Sequence, residues 1–572
     1  MFRLLRYLKK YWLECFFGPF FKLLEASFDL LVPLIMKMMI DEGIGKQNMP
    51  YVWKMGGILL ALALVGFACS VSAQYFAAKA ATGFSSTVRR ELFAKMERLS
   101  FQELEHLGQS SLMTRLTNDV QTLQTGVNLT LRLFLRSPFI IVGAMIAAYF
   151  VSGKVGMVFV IVVPIVFLFV FLIMLWTIPK YRKVQSSMDD VVLSTRENLF
   201  GVRVIRAFSK EEAEIKKYQK KNEIWRKIQS KVGAIAKLLN PLSYGLIYLS
   251  IVWILYLSGV EVEIGAMTKG DVIAVVNYMT QIVVELIKFA DLVIQMTKAI
   301  ASGDRIAAML DLPEDVMLKA SVDEKEEGKP WISFEDVWFS YHTGGEEAIS
   351  HASFSVNKGE MIGVIGGTGS GKSTLISLLA GFYLPSKGHL FVAGKNIEHY
   401  SREEIRHTVT VVLQKSQMFH GTIRENLCLG RANCSIKELQ RALEISQGKE
   451  FVEEKPGGLD FMLEQGGKNL SGGQKQRLAI ARGILGSGEI LVLDDASSAL
   501  DYKTEANLKR ALKELKDRTI FLVSQRASTM MGADRILVLD DGEIVGFDTH
   551  EQLLKTCEIY REIYESQTEE EA

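Results

Sequence analysis

The sequence predicts a chain in two parts: a helical membrane domain of six long transmembrane helices, then an α/β domain. Three observations predict it. Apolar stretches near bilayer-crossing length recur through the first 300 residues, and a crossing takes about 20 residues. Lys and Arg are dense in alternate connections between those stretches, which gives the chain a sidedness. Beyond residue 330 the pattern changes to short apolar runs alternating with helical segments.

Composition agrees with a chain that is part membrane and part soluble. Of 572 residues, 49% are apolar, and mean hydropathy is +0.17. The net charge of +1 gives no basis for nucleic-acid binding. Cys15, Cys69, Cys428, Cys434 and Cys557 form no CxxC pair, and no His stands at metal-ligand spacing. Neither a disulfide framework nor a zinc site is expected.

The expected spans are Phe17–Ile40, Gly56–Ala78, Leu133–Val151, Val155–Ile178, Leu238–Val260 and Val272–Ile300. The last is interrupted by Glu285, Lys288 and Asp291. It is retained because an even number returns the chain to its starting side. Before the first span, Leu5, Leu8 and Trp12 share one helical face and Arg3, Arg6 and Lys10 another. That pattern predicts an amphipathic helix lying along the membrane surface, not a cleavable signal. The N-terminal segment and the stretches 81–132 and 180–237 are rich in Lys and Arg, while the other connections carry little beyond Lys46, Lys154 and Lys269. Both termini are therefore expected on the cytoplasmic side. The two long cytoplasmic connections read as helical hairpins that reach on the order of 30 Å below the membrane. Gly108–Asp119 and Gly201–Glu211 are expected at their turns, where they can dock on the second domain.

The boundaries expected are 1–312 for the membrane domain, 313–330 for a linker, 331–564 for the α/β domain and 565–572 for an acidic tail. The linker rests on the charged run Asp323–Lys329. In the α/β domain Gly366, Gly367, Thr368, Gly369, Ser370, Gly371, Lys372 and Ser373 fit the pattern GxxxxGK[ST], and Thr374 follows. An apolar strand, Met361–Ile365, precedes this loop and a helix follows it. Glycines let backbone N–H groups curl round phosphates, and the helix N-terminus adds positive potential. Lys372 adds a point charge at the β/γ-phosphates, and Ser373 can ligate Mg2+. The pattern predicts the fold of a P-loop NTPase. A second apolar strand ends in Asp494 and Asp495, with Asp494 placed to face Mg2+. Leu470, Ser471, Gly472, Gly473 and Gln474 open another helix and form a second anion-binding turn.

These motifs, in this order, resemble the ATP-binding-cassette (ABC) family, and the resemblance covers essentially the whole chain. Leu470–Gln474 is similar to the family signature. The resemblance implies that Tyr341 stacks on adenine, that Gln414 senses Mg2+ and contacts the coupling tips, and that 498–501 crosses between two ATPase domains. The first half resembles the six-helix unit of type IV (multidrug-type) exporters. Such domains close head to tail on two ATPs, each held between one chain's phosphate loop and the other's signature. ATP and Mg2+ are the implied cofactors. A second half-exporter, the lipid bilayer and a small amphiphilic substrate are the implied partners.

Two positions depart from the family pattern. Asp495 stands where a competent member has the Glu that polarises water, and its carboxylate is withdrawn by one methylene. Gln525 stands where the family has a His on the γ-phosphate; Gln can hydrogen-bond but carries no charge. With Gln414 they make up the catalytic set. The expectation is a degenerate site that binds ATP and hydrolyses it poorly, beside an intact signature that completes a partner's site. A slow homodimer is the alternative.

Charges within the expected spans cost several kcal/mol unless paired or wetted. Glu25, Asp29 and Glu285 are candidates for an acidic substrate cavity favouring cationic amphiphiles; internal ion pairing is the competing reading. A soluble cassette protein of DNA repair or translation is excluded by the spans. A channel or a lipid transporter is not, because the fold is shared while substrate choice lies in the cavity.

Overall fold

The computed structural model describes residues 2–315, 329–341, 345–431 and 433–569. Most of the expected linker, with the charged run from Asp323 to Gly328, lies outside the described residues, as do the last three residues of the tail. The chain forms two compact units: Met1–Lys95 with Ser110–Leu312, and Met96–Gln109 with Pro313–Ala572.

The first unit is helical. Its long helices are α1 (Trp12–Met38), α2 (Met49–Arg98), α7 (Gly153–Phe200), α9 (Glu211–Glu263) and α10 (Lys269–Leu310). The shorter α4 (Gln109–Thr114), α5 (Val120–Leu133) and α6 (Arg136–Val151) lie between α2 and α7 in the chain, after α3 (Phe101–Leu107), which belongs to the second unit, and α8 (Val202–Ala207) lies between α7 and α9. Prolines inside α1, α7 and α9 do not end them, as membrane helices allow. Four described helical runs are long and apolar enough to cross a bilayer: Met49–Arg98, Gln109–Val151, Tyr244–Glu263 and Lys269–Leu310. Gly153–Phe169 is apolar but shorter. The sixth expected span therefore qualifies, while α1 falls short because Lys22, Glu25, Asp29 and Lys37 interrupt it. Leu60, Phe67 and Val252 stand exposed along these helices, as side chains in lipid do.

α10 is the hub, packing on α1, α5 and α6, while α7 runs along α9. The approach to α5 depends on Gly126, where a Cβ would come within 2.2 Å of Ala299. The start of the chain is a 3₁₀ helix, Phe2–Tyr11, and Leu4 is its buried side chain. Leu5 and Trp12, expected on the apolar face of a helix at the membrane surface, are exposed at the protein surface. Arg3 pairs with Asp311 at 2.6 Å, which ties this segment to the end of α10.

The second unit is built on two sheets. β1 (Ile332–Phe339), β2 (Ile349–Val356), β4 (Lys387–Val392) and β5 (Lys395–Asn396) form an antiparallel sheet in the order β2-β1-β4-β5. A six-stranded sheet joins β3 (Met361–Gly366), β6 (Val409–Val412), β9 (Ile490–Asp494), β10 (Thr519–Val523), β11 (Arg535–Asp540) and β12 (Glu543–Asp548) in the order β12-β11-β3-β10-β9-β6. All its neighbours are parallel except β11 and β12. β3, β9 and β10 are buried throughout, so they read as unbroken apolar runs. β7 (Gly421–Thr422) pairs with β8 (Met462–Leu463).

α11 (Lys372–Leu379) and α12 (Arg402–Thr408) follow β3 and β5. A helical subdomain holds α13 (Ile423–Leu427), α14 (Ile436–Ile445), α15 (Lys449–Glu453) and α16 (Gly472–Leu485). Capping boxes start α12, α13, α14 and α16, each satisfying N–H groups that the first helical turn leaves free. α17 (Tyr502–Lys513), α18 (Ala527–Met530), α19 (His550–Thr556) and α20 (Glu558–Glu569) complete the unit. α20 carries the fold five residues past the boundary expected at 564.

Candidate functional site

β3 delivers the chain to the phosphate loop at its C-terminal edge, beside β10 and three strands from β6. Gly366 packs so closely on β11 that a Cβ would lie 2.1 Å from the Leu539 carbonyl oxygen. Gly371 caps α11 with φ +95°, and a Cβ there would meet the Ala348 carbonyl oxygen at 2.8 Å. Only glycine serves at both places. Gly367, Thr368 and Gly369 are exposed, while Ser370 and Thr374 are buried. The Lys372 ammonium folds back on the loop, donating to the carbonyls of Gly366 at 2.8 Å and Gly367 at 2.5 Å. It also lies 3.3 Å from the Ser370 hydroxyl. Burial lowers its pKa below the ordinary value, and Asp494 and Asp495 oppose that shift. A desolvated cation held over glycine carbonyls is poised for a phosphate oxygen to replace them.

Asp494, at the end of β9, is buried. Burial first, then Asp495, raises its pKa; Lys372 and a hydrogen bond from Ser373 oppose them. The structure thus brings Ser373 and Asp494 together. Gln414 donates to the Asp495 carboxylate at 3.1 Å. Asp495 has a left-handed backbone, φ +45°, which Asp tolerates better than most residues. The Ser373 hydroxyl, the Asp494 carboxylate and the Gln414 carbonyl are hard oxygen donors of the kind Mg2+ takes alongside water and phosphate.

Tyr341 lies 3.0 Å from the Thr374 hydroxyl through its own, and its ring is edge-on to Phe339 and Tyr383. It is therefore held at the edge of the phosphate-loop helix. Gln525 follows β10 and has an exposed side chain.

At the signature, Leu470 is buried and Ser471 caps α16. The Ser471 hydroxyl accepts from the Gln474 N–H at 3.3 Å, and the Gln474 side chain accepts from the Ser471 N–H at 3.1 Å. Gly472 and Gly473 follow, and a Cβ at Gly473 would crowd the Ala499 carbonyl oxygen at 3.0 Å. Among the described residues, no hydrogen bond links this turn to the phosphate loop of the same chain. Gln476, which the sequence did not single out, is buried one turn later. It donates to Ser498 at 3.0 Å and accepts from the Ala499 N–H at 2.9 Å, joining the signature helix to the crossing loop.

The helix just ahead of the expected docking segment Gly108–Asp119, α3 (Phe101–Leu107), belongs to the second unit and packs within it. Phe101 packs on Phe382 with centroids 4.5 Å apart. Glu105 accepts from the Tyr383 hydroxyl at 2.7 Å, and Gln102 donates to the Tyr341 carbonyl at 3.1 Å. Gln414, expected at this contact, is engaged with Asp495. Asp119 is buried in the first unit, where it receives a two-pronged ion pair from Arg305 of α10. The difference follows from polarity: "TRLTND" supplies groups that bond within a helical unit, whereas "FQELEHL" supplies an aromatic anchor.

In the first unit the three carboxylates of the expected acidic cavity are neutralised. Arg136 of α6, which the sequence reading passed over, reaches Glu285 at 2.5 Å, Asp29 at 2.9 Å and Glu25 at 3.9 Å. Lys22 pairs with Glu25 at 2.6 Å and Lys288 with Glu285 at 3.0 Å. Ser137 donates to Glu285 at 2.8 Å. Three cations therefore meet three carboxylates, which is the internal-pairing outcome, and the acidic character expected of Glu25, Asp29 and Glu285 is corrected. Low dielectric enforces it, since an uncompensated charge at that depth is costly. A cleft of about 250 Å³ remains, lined by Asp29, Arg136, Asn277, Gln281, Glu285 and Lys288.

Comparison with known proteins agrees with this architecture. Residues 15–286 match the family described as ABC transporter transmembrane region, and residues 349–498 match ABC transporter. The chain is 35% identical over 569 residues to the uncharacterized ABC transporter ATP-binding protein YfiB of Bacillus subtilis, covering 98% of each. It is 29% identical over 488 residues to the ATP-dependent lipid A-core flippase of Desulfotalea psychrophila, covering 84% of each. A bacterial Atm1-family ABC exporter solved with ATP bound superimposes with a TM-score of 0.81 at 22% identity, covering 98% of each chain. With a membrane region and an ATPase domain on one polypeptide, and full-length identity of 35% to YfiB, the chain belongs to the ABC transporter family as a multi-pass membrane protein whose ATPase is coupled to transport.

Proposed function

We propose that this chain is one half of a heterodimeric ATP-driven exporter of small amphiphilic substrates, with six spans and both termini cytoplasmic. α1 and α7 supply the two spans beyond the four that meet the length and polarity measure. The observation that carries the heterodimer reading is the contrast within one domain. Ser471–Gln474 keeps a complete capped turn, while Asp495 and Gln525 replace the Glu and His of a competent site. In this reading Lys372 and the loop amides bind ATP, and Tyr341 flanks its base. Ser373, Asp494 and Gln414 would hold Mg2+, which neutralises charge on the phosphates. Gln414 also holds Asp495 by its carboxylate, so the shortened acid is committed to a hydrogen bond rather than to water. The signature serves the partner's site. An apolar tip supports a partner as well: Phe200, Val204 and Phe208 around α8 are exposed, and such a patch is a mark of an interaction surface.

The test is ATPase activity of the full-length chain purified alone in nanodiscs. Turnover near background is expected. Vigorous Mg-ATP turnover that Asp495→Asn abolishes overturns the degenerate reading.

The compensated cleft favours an amphiphile with a net-neutral polar end over a bare cation, since a cation would leave one of the three paired cations without its partner. Transport of an alkylphosphocholine in preference to an alkyltrimethylammonium of equal chain length is expected from the assembled exporter; the reverse preference refutes it. The relative named a lipid A-core flippase favours a second reading, in which the amphiphile is a membrane lipid.

A further inference from the structure

The C-terminal helix is seated on the ATPase core. Tyr560 of α20 is fully buried, its hydroxyl lies 2.7 Å from His550 Nδ1, and Ile563 and Tyr564 pack against the same core. One turn further on, the Gln567 side chain meets the segment that follows β10. Its Nε2 donates to the Gln525 carbonyl at 2.8 Å, and its Oε1 accepts from the Ala527 N–H at 2.8 Å. A carboxamide carries a donor and an acceptor side by side. Bonding C=O of one residue and N–H of the second residue on, it imitates a rung of a β-ladder. The segment is fixed from its other side too. Arg526 and Thr529 both bond Glu505, at 3.3 Å and 2.5 Å, and the Arg526 N–H donates to the Ser524 hydroxyl at 3.1 Å. Gln525 lies within this clamped stretch and is exposed.

We infer that Gln567 is a positioning residue: the C-terminal helix holds the backbone on both sides of Gln525 and so sets its side chain toward the γ-phosphate of bound ATP. The inference rests on the proposed reading of Lys372 and Gln525 as parts of one nucleotide site. A clamp on Gln525 acts on ATP and not on ADP, because only ATP has the γ-phosphate. A residue that merely supports the fold affects both alike, and Tyr560 already anchors α20 without Gln567.

The experiment measures release of fluorescent mant-ATP and mant-ADP, with Mg2+, from the full-length chain in nanodiscs. In Gln567→Ala, ATP release is expected to accelerate roughly five- to tenfold, the factor for one or two net hydrogen bonds, with ADP release unchanged. Gln567→Glu can still accept from Ala527 but faces the Gln525 carbonyl with a carboxylate, so it shifts ATP release in the same direction. It carries the test if the alanine variant folds poorly. Unchanged rates, or equal acceleration for ATP and ADP, overturn the clamp. Lys372→Ala is the control: if it binds mant-ATP as the parent chain does, the site reading itself fails, whatever Gln567 does.

Discussion

In the proposed reading Asp495 and Gln525 limit hydrolysis at this chain's own site, and each can be tested by adding back what it lacks. Asp495→Glu lengthens the acid by one methylene and Gln525→His restores a group that can carry charge. If a correctly placed base and γ-phosphate contact are what the site lacks, the double variant should hydrolyse ATP about 10²-fold faster at this site, the low end of what general-base catalysis supplies. Single-turnover hydrolysis in the assembled exporter measures it; an unchanged rate would place the deficit elsewhere. At Gly371 the constraint is steric. Gly371→Ala forces a side chain into a left-handed backbone against the Ala348 carbonyl oxygen. It should weaken ATP binding about tenfold or more while the rest of the domain folds, because strain of this kind costs about 1–3 kcal/mol.

Among the elements, α3 and the charged network of α1, α6 and α10 carry the most. α3 binds through one aromatic contact and two hydrogen bonds. Phe101→Ala combined with Glu105→Gln should leave mant-ATP binding intact and abolish stimulation of ATPase by substrate; retained stimulation would show that coupling runs through another element. The membrane network makes a different prediction. Arg136→Gln removes the cation that three carboxylates share, and breaking a buried ion pair from one side costs about 3–5 kcal/mol. A large drop in thermal stability in detergent is expected. Adding Glu285→Gln should recover part of it, because the second change removes a charge the first left unpaired.

For the whole molecule, the proposed heterodimer makes a prediction about what meets the signature turn. Among the described residues no hydrogen bond joins this chain's phosphate loop to its signature turn, and the α8 tip leaves Phe200 and Phe208 exposed. Cross-linking from a cysteine placed at Ser471 should trap a second, non-identical polypeptide through its phosphate loop when the exporter is isolated from its native membrane. Capture of only another copy of this chain would favour the slow homodimer.

What the sequence determined by itself is everything that depends on contiguous residues. A phosphate loop, a capped helix start, an acid ending a buried strand and a 20-residue apolar run each carry their chemistry in local order, so Lys372, Ser471, Asp494 and most of the spans were legible. Tertiary structure decided what depends on distant residues meeting. It turned Glu25, Asp29 and Glu285 from an acidic cavity into partners of Arg136, since the charge of a buried group is set by its neighbours in space. It packed Phe101–Leu107, just ahead of the expected tip Gly108–Asp119, within the second unit, and it supplied the partners that Gln476 and Gln567 grip. A glutamine's two hydrogen bonds have no signature in its own neighbourhood; only the fold supplies the backbone it grips.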